Sequence, residues 1–143
     1  MKIKHFLSNV EHQRVHDAIK AAEQHTSGDI VVYITHRKTD DPLAAAHQEF
    51  RKLKLDSDAA QNSVLIFLAP KTQKFAIVGG TALHDKVGQR WWDDLVPLLA
   101  KHFKDSRYTD GLVALIEHIG HAHKAHFPAT ASRPTGTSDI VEE

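Results

Sequence analysis

The sequence predicts an α/β fold in which helices cover a small mixed sheet, with elements in the order α-β-α-β-β-α-α. Residues 64–69 are apolar without alternation, which is typical of a strand buried on both faces. A short turn leads from them into a second apolar run at 75–78, so the two runs predict a hairpin. On either side of this hairpin, apolar residues recur at the spacing of amphipathic helices.

Length and composition fit a soluble protein with one folded domain. The chain has 143 residues, with 18 Lys and Arg against 18 Asp and Glu, so its balanced charge gives no reason to favour nucleic acid or an anionic membrane. The absence of cysteine excludes disulfides and thiolate chemistry. We see no secretory signal and no apolar run approaching the ~20 residues that span a bilayer. We therefore expect a cytoplasmic protein.

The first helix is predicted to open at Ser8 and to stop at Gly28. Ser8 and Glu11 have the spacing of a capping box, in which each side chain bonds the backbone N–H of the other residue. Gly28 can take the left-handed conformation that commonly ends a helix. Residues 29–35 are rich in β-branched side chains and predict the first strand. The buried face of the helix is predicted to comprise Val15, Ala18, Ile19 and Ala22.

Asp41 and Pro42 mark the start of the second helix. A carboxylate can cap the first turn, and proline is tolerated there because its missing N–H would have no partner in the helix. A polar connection at 54–62 then leads to the hairpin. The side chains that this helix is expected to bury are Leu43, Ala46, Phe50 and Leu53.

Two helices are predicted after the hairpin. The first begins at about Leu83, and Pro97 should kink it or start a new helix, because proline removes a backbone hydrogen bond. The second covers approximately residues 109–123. The apolar side chains of its predicted buried face are Leu112, Leu115, Ile116 and Ile119. Residues 1–127 are thus predicted to form the folded domain, whereas residues 128–143 have little to bury and are predicted to be disordered.

The strand order brings three polar segments to one edge of the predicted sheet. A strand–helix–strand unit has parallel strands, and the hairpin adds an antiparallel third. The starts of the first two strands and the end of the third therefore share an edge, which gathers residues 28–29, 56–62 and 79–85. These segments carry carboxylates, an amide and glycine-flanked carbonyls, which are oxygen donors that suit calcium or magnesium.

The same residues also have a purely structural interpretation. Asp58 and Asn62 can cap a turn, and Asp85 can cap a helix. Gly79 and Gly80 can serve only to bend the chain. The residue pattern leaves both interpretations open.

Four segments, in order and spacing, resemble the TPM domain family. Thr26–Val32 has the family's carboxylate after a glycine, and Gln61–Ile66 has its asparagine before a strand. Phe75–Gly79 matches the end of a strand, and Phe103–Leu112 has an F-x-x-x-x-Y-x-x-G-L pattern. The likeness extends over residues 8–127. It implies a three-layer α/β/α sandwich with a small mixed sheet of three to four strands. It also implies binding of calcium or magnesium, as in some members, and one thylakoid-lumen member is described as an acid phosphatase.

The resemblance carries over to individual positions with two departures. Asp29 replaces the family's glutamate, and Asn62 matches its asparagine, whereas His84 and Gln89 stand where many members have carboxylates. Imidazole suits zinc better than calcium, so zinc is a further candidate. The predicted metal ligands are Asp29, Asp58, Asn62, His84 and Asp85.

Three functions follow from these expectations. The first is a module that binds a divalent cation weakly and acts through an unidentified protein partner. The second is a metal-dependent acid phosphatase acting on phosphomonoesters, with His84 as general acid beside Asp58, Asn62 and Asp85. The third is a metal-free protein-interaction domain. The histidines of the last helix are expected to give only adventitious nickel or zinc binding; they are His118, His121, His123 and His126.

Overall fold

The computed structural model of the chain describes residues 9–24, 29–57, 62–105, 107–126 and 140–142. The predicted capping serine and the glycine stop of the first helix lie outside these residues. None of the described helices is long and apolar enough to span a membrane. The helices are α1 (Asn9–Glu23), α2 (Pro42–Lys52), α3 (Thr81–Val87), α4 (Gln89–Lys104) and α5 (Tyr108–His126). The strands are β1 (Ile30–Ile34), β2 (Val64–Ala69), β3 (Lys74–Gly79) and β4 (Ile140–Glu142), and single 3-10 turns occupy Leu55–Ser57 and Pro70–Thr72.

The four strands form one mixed sheet in the order β3-β2-β1-β4. β1 and β2 are parallel, with Ile30 opposite Val64. β2 and β3 are antiparallel, with Val64 opposite Gly79. These pairings confirm the predicted topology, and the bounds of β2 agree with the apolar run seen in the sequence.

Helices cover both faces of the sheet, which confirms the three-layer α/β/α arrangement. β2 is buried at all six positions, and its alternate side chains enter two separate cores. Phe50 of α2 and the stacked pair Tyr33–Phe67 belong to the core on one face. The core on the other face joins Ile66 to apolar side chains of α1, α3, α4 and α5. A strand enclosed in this way cannot alternate polar with apolar residues, and this explains its continuous hydrophobic sequence.

β4 was not predicted, and it comes from the segment that we expected to be disordered. Residues 140–142 pair in parallel with residues 32–34 of β1 and so form the outer edge of the sheet. Residues 127–139 lie outside the described part of the chain. A three-residue strand without periodicity of its own is recognisable only by what it pairs with, so the sequence alone gave no signal for it.

The prediction of one helix starting near Leu83 was wrong, because the chain breaks at Gly88. Gly88 has φ of +79°, a left-handed conformation that glycine adopts without strain, and it separates α3 from α4. Pro97, expected to kink the helix or start a new one, starts no new helix and lies inside the continuous α4. It is exposed, so water can satisfy the carbonyl of Asp93 that proline leaves without a helical partner. Leu95 and Leu99 remain buried on the other side.

α2 begins as predicted but buries a narrower face. The carboxylate of Asp41 caps the helix by accepting from the backbone N–H of Ala44 at 3.1 Å. Ala46 and Phe50 are buried, one helical turn apart. Leu43 was expected in the same stripe but is 51% exposed. Leu53, three residues after Phe50, is partly buried against the same core, so the predicted stripe fails only at the first turn of the helix.

α1 and α5 pack closely and are tied together at one end. Arg14 contacts the carboxylate of Asp110 at 3.0 Å, and the Thr109 hydroxyl donates to Glu11 at 2.6 Å. Near the other end, the helices are so close that a Cβ added to Gly120 would lie 2.8 Å from the Cβ of Ala22. Glycine is therefore required by the helix contact at this position.

Gly120→Ala is expected to destabilise the domain by a net ~1 kcal/mol. Overpacking typically costs about 1–3 kcal/mol, and the better helix propensity of alanine returns only about 1 kcal/mol. Urea unfolding measures the difference in free energy of unfolding. In an Ala22→Gly background the new methyl has room, so the same substitution should become neutral or stabilising. An equal loss in both backgrounds would contradict the contact.

The carboxyl of Asp110 is expected to titrate below its ordinary range. A hydrogen bond from Arg14 and, with a smaller effect, hydrogen bonds from Arg107 lower the pKa of Asp110 from its usual 3.8. A group with a depressed folded-state pKa contributes stability above its unfolded pKa, and that contribution is lost as pH falls through the folded value. Carboxyl carbon NMR measures this pKa directly. Arg14→Gln should raise it and Arg90→Gln should leave it unchanged; a rise with neither or with both would refute the assignment.

Candidate functional site

The backbone register brings the described ends of the three predicted polar segments, residues 29, 62 and 79–80, to one edge of the sheet. The N–H of Val64 donates to the carbonyl of Asp29 at 2.8 Å, which joins the starts of β1 and β2. The N–H of Gly80 donates to the carbonyl of Ser63, also at 2.8 Å, which joins the start of β2 to the end of β3. We call these joined ends, residues 29, 62–64 and 79–80, the loop edge. The predicted convergence is confirmed for the backbone of these residues.

A buried histidine lies beneath the loop edge. His123 of α5 and Asn62 are both fully buried, and the His123 Nε2 lies 2.7 Å from the Asn62 carbonyl oxygen. Because a carbonyl only accepts, we assign the proton of this hydrogen bond to Nε2. His123 therefore anchors the start of β2 to the helical layer.

The role of His123 was missed in the sequence, although a signal was present. The predicted face of the last helix included Ile116 and Ile119, and His123 continues that face at i+4 from Ile119. We instead grouped it with the other histidines of the helix. The structure separates them, since His118, His121 and His126 are exposed whereas His123 is buried.

A tryptophan explains the glycine at the end of β3. A side chain at Gly79 would overlap the six-membered ring of Trp92, so only glycine allows this close approach. The ring of His84 stacks over the same indole, with centroids 6.5 Å apart and planes inclined by 18°. Trp91 packs edge-on against Trp92 at 4.9 Å. An aromatic cluster thus supports the loop edge beside α3.

The predicted ligands differ in where they lie. Asp29 is half-buried at the start of β1, whereas His84 and Asp85 are exposed on α3. Asp58 lies outside the described residues, so the full set of predicted ligands stays a prediction. A carboxylate that the sequence reasoning missed, Glu23, accepts from the N–H of Ile30 at 3.0 Å near the start of β1. Within the described ranges, no three histidine, aspartate or glutamate side chains are placed so that they could hold a metal ion.

Comparison with known proteins supports the resemblance noted in the sequence. The TPM domain profile matches residues 2–122. The BA42 protein from the psychrophilic bacterium Bizionia argentinensis, known from an NMR structure, is 32% identical, with a TM-score of 0.88 over 99% of both chains. The chain belongs to the TPM domain family. The N-terminal domain of cg2496 from Corynebacterium glutamicum shares the fold, with a TM-score of 0.63 and 19% identity. The match covers 93% of this chain and 84% of that one. The comparison with curated protein sequences gave no significant match.

The F-x-x-x-x-Y-x-x-G-L segment of this TPM domain forms the turn between α4 and α5. Phe103 and Tyr108 pack edge to face with ring centroids 5.1 Å apart. A Cβ on Gly111 would lie 2.7 Å from the Cβ of His102, so glycine permits the two helices to meet. These contacts give the segment a structural role.

The two departures from the family's carboxylate pattern also have local contacts. Gln89, at the start of α4, donates to Asp93 at 3.0 Å along the helix surface. His84 packs on Trp92, as described above. The oxygen atoms at the described loop edge belong to the half-buried carboxylate of Asp29, the fully buried amide of Asn62 and backbone carbonyls. This donor set fits a hard cation held partly by water better than it fits zinc.

His123→Leu is expected to destabilise the TPM domain by about 1–3 kcal/mol, because it leaves the buried Asn62 carbonyl without its donor. The amide signals of residues 62–64 should shift at the same time. His121→Leu, on the exposed side of the same helix, is the matched control and should change stability by less than about 0.5 kcal/mol. Equal effects of the two substitutions in urea unfolding would refute the anchoring role.

Proposed function

We propose that this TPM domain binds calcium or magnesium weakly at the loop edge and acts through a protein partner. The supporting observation is the hydrogen-bonded convergence of Asp29, Ser63 and Gly80 at one edge of the sheet. It brings the segments that carry a carboxylate, an amide and glycine-flanked carbonyls next to one another. Oxygen donors of this kind are what hard divalent cations require.

The small number of charged donors sets the expected affinity. Asp29 and Asn62 would hold the ion, with Asp58 and Asp85 as further donors and water completing the coordination. Because the described residues include no group of three acidic or histidine ligands, we expect a dissociation constant of about 10⁻⁴–10⁻³ M. The exposed imidazole of His84 is packed on an indole, which gives it no second ligand that would favour zinc.

The phosphatase alternative has less support. A metal-activated water needs an ion that is held firmly enough to lower the pKa of that water. His84, the expected general acid, is exposed on a seven-residue helix. The phosphatase hypothesis therefore rests on the family resemblance, and we carry it no further.

Cation binding is tested by titrating the 15N-labelled protein with calcium, magnesium and zinc chloride. We expect saturable shifts of the amides of residues 29, 62–64 and 79–80 with calcium or magnesium at millimolar concentration. Asp29→Asn keeps the shape of the side chain and removes its charge, so it should weaken binding at least about tenfold.

The control is Asp94→Asn, which changes an exposed carboxylate on α4 and should leave the titration unchanged. No shift at the loop edge, or equal affinities in wild type and Asp29→Asn, would exclude this site. Shifts with zinc alone, at His118 and His121, would show adventitious binding to α5 and would also count against the proposal.

A further inference from the structure

The outer edge of β1 is covered by two different groups. Asp29 and Thr35 direct their backbone groups toward β2, since the Asp29 carbonyl accepts from Val64 and the Thr35 N–H donates to Leu68. In an extended strand, the backbone N–H and C=O groups of alternate residues point to opposite edges. Those of Ile30, Val32 and Ile34 therefore point away from β2. The carboxylate of Glu23 takes the Ile30 N–H, and β4 pairs alongside Val32 and Ile34.

The edge accepts a specific side-chain pattern. Ile140 packs against the core formed with α1 and α5, and the next residue, Val141, packs against the α2 core on the opposite face. Glu142 then meets His36, with Oε2 and Nε2 2.6 Å apart and both side chains at most 20% exposed. In a segment of two apolar residues followed by an acidic one, the two apolar side chains therefore pack on opposite faces of the sheet. The acidic side chain then pairs with His36, just beyond the end of β1.

Charge reinforces this pattern and fixes its direction. β1 continues into His36, Arg37 and Lys38, a run of basic side chains. Because β4 is parallel to β1, its acidic end lies at the basic end of that strand. An antiparallel strand of the same sequence would place its acidic residue at the other end, away from these side chains. The edge thus favours one chain direction.

The resident strand is held by few contacts. β4 has three residues, all only half-buried, whereas β3 on the other edge has six and pairs along its whole length. Thirteen residues, 127–139, separate it from the end of α5. Short edge strands with partly exposed residues open at a lower free energy than the core of a domain. β4 is therefore the strand that most readily leaves the sheet, which exposes the outer edge of β1.

We propose that the edge of β1 at residues 32–36 is a strand-acceptor site for a partner protein. The partner contributes an extended segment with two β-branched apolar residues followed by an acidic residue, and this segment pairs in parallel with β1. Residues 140–142 of the chain are the resident occupant, which the partner's segment replaces. Main-chain pairing supplies affinity, and the two cores and His36 supply specificity. This proposal is independent of cation binding, which concerns the opposite end of β1.

Tethering determines how the site must be tested. A segment joined to the domain by a short linker competes at an effective concentration of about 1 mM, so an added peptide displaces it poorly. Val141→Asp in the full chain places a carboxylate in the α2 core and should release β4. The amides of Val32, Ile34 and His36 are then expected to shift from their wild-type positions.

The experiment adds the peptide T-S-D-I-V-E-E, the sequence of residues 137–143, to the 15N-labelled Val141→Asp protein. Saturable return of these three amide signals toward their wild-type positions is the expected result, because the peptide restores the same contacts. A peptide with lysine in place of the first glutamate should bind about tenfold more weakly. His36→Glu, introduced into the same protein, should reverse that preference.

Several outcomes would overturn the proposal. No return of the signals at millimolar peptide would show that the edge does not accept a strand from another molecule. Equal binding of a scrambled peptide would remove the specificity. Dimerisation of the wild-type protein on concentration, seen by light scattering, would assign the site to a second copy of the chain instead. If Val141→Asp loses its dispersed spectrum, Glu142→Lys, which leaves both cores intact, replaces it with the same readouts.

Discussion

β1 and β2 pair in parallel over five residues, and each is buried on both faces. A parallel pair cannot be closed by a tight turn, so α2 must cross over one face of the sheet. The opposite face then needs its own cover, which α1, α3, α4 and α5 provide through a second core. The same register places Asp29 beside the start of β2, and it leaves the outer edge of β1 for β4. The layers, the loop edge and the proposed strand-acceptor site all depend on this one pairing.

The polar and glycine residues at the loop edge have structural roles that differ from the caps and bends considered in the sequence analysis. Gly79 makes room for an indole, and His123 supports the Asn62 carbonyl. These contacts fix the backbone of the edge before any ligand is present, and a preorganised backbone lowers the entropy cost of binding. They do not add charge, however. A rigid edge with few carboxylates is consistent with a weak cation site and is a poor basis for a tightly held catalytic metal.

The sequence predicted the features that follow from local chemistry and strong periodicity. The apolar run of β2, the hairpin, the Asp41 cap and the face of α5 all belong to this class. The errors arose where tertiary context decided the outcome. Pro97 is the stronger helix breaker by propensity, but packing on the other side of α4 keeps that helix intact, and the chain breaks at Gly88. β4 and the His123 anchor each depend on a partner more than 60 residues away, which no local pattern specifies.

The loop edge and the proposed strand-acceptor site lie at opposite ends of β1, and the fold predicts that binding at one does not change binding at the other. Coupling between two sites requires an element with two alternative arrangements that both ligands bias. β1 is enclosed by two cores and paired to β2 along its full length, so it has no second arrangement of comparable free energy. The release of β4 changes only the outer edge, where Glu23 continues to hold the Ile30 N–H. A partner that replaces β4 should therefore leave the proposed cation binding at Asp29 unchanged, and this distinguishes two independent sites from an allosteric switch.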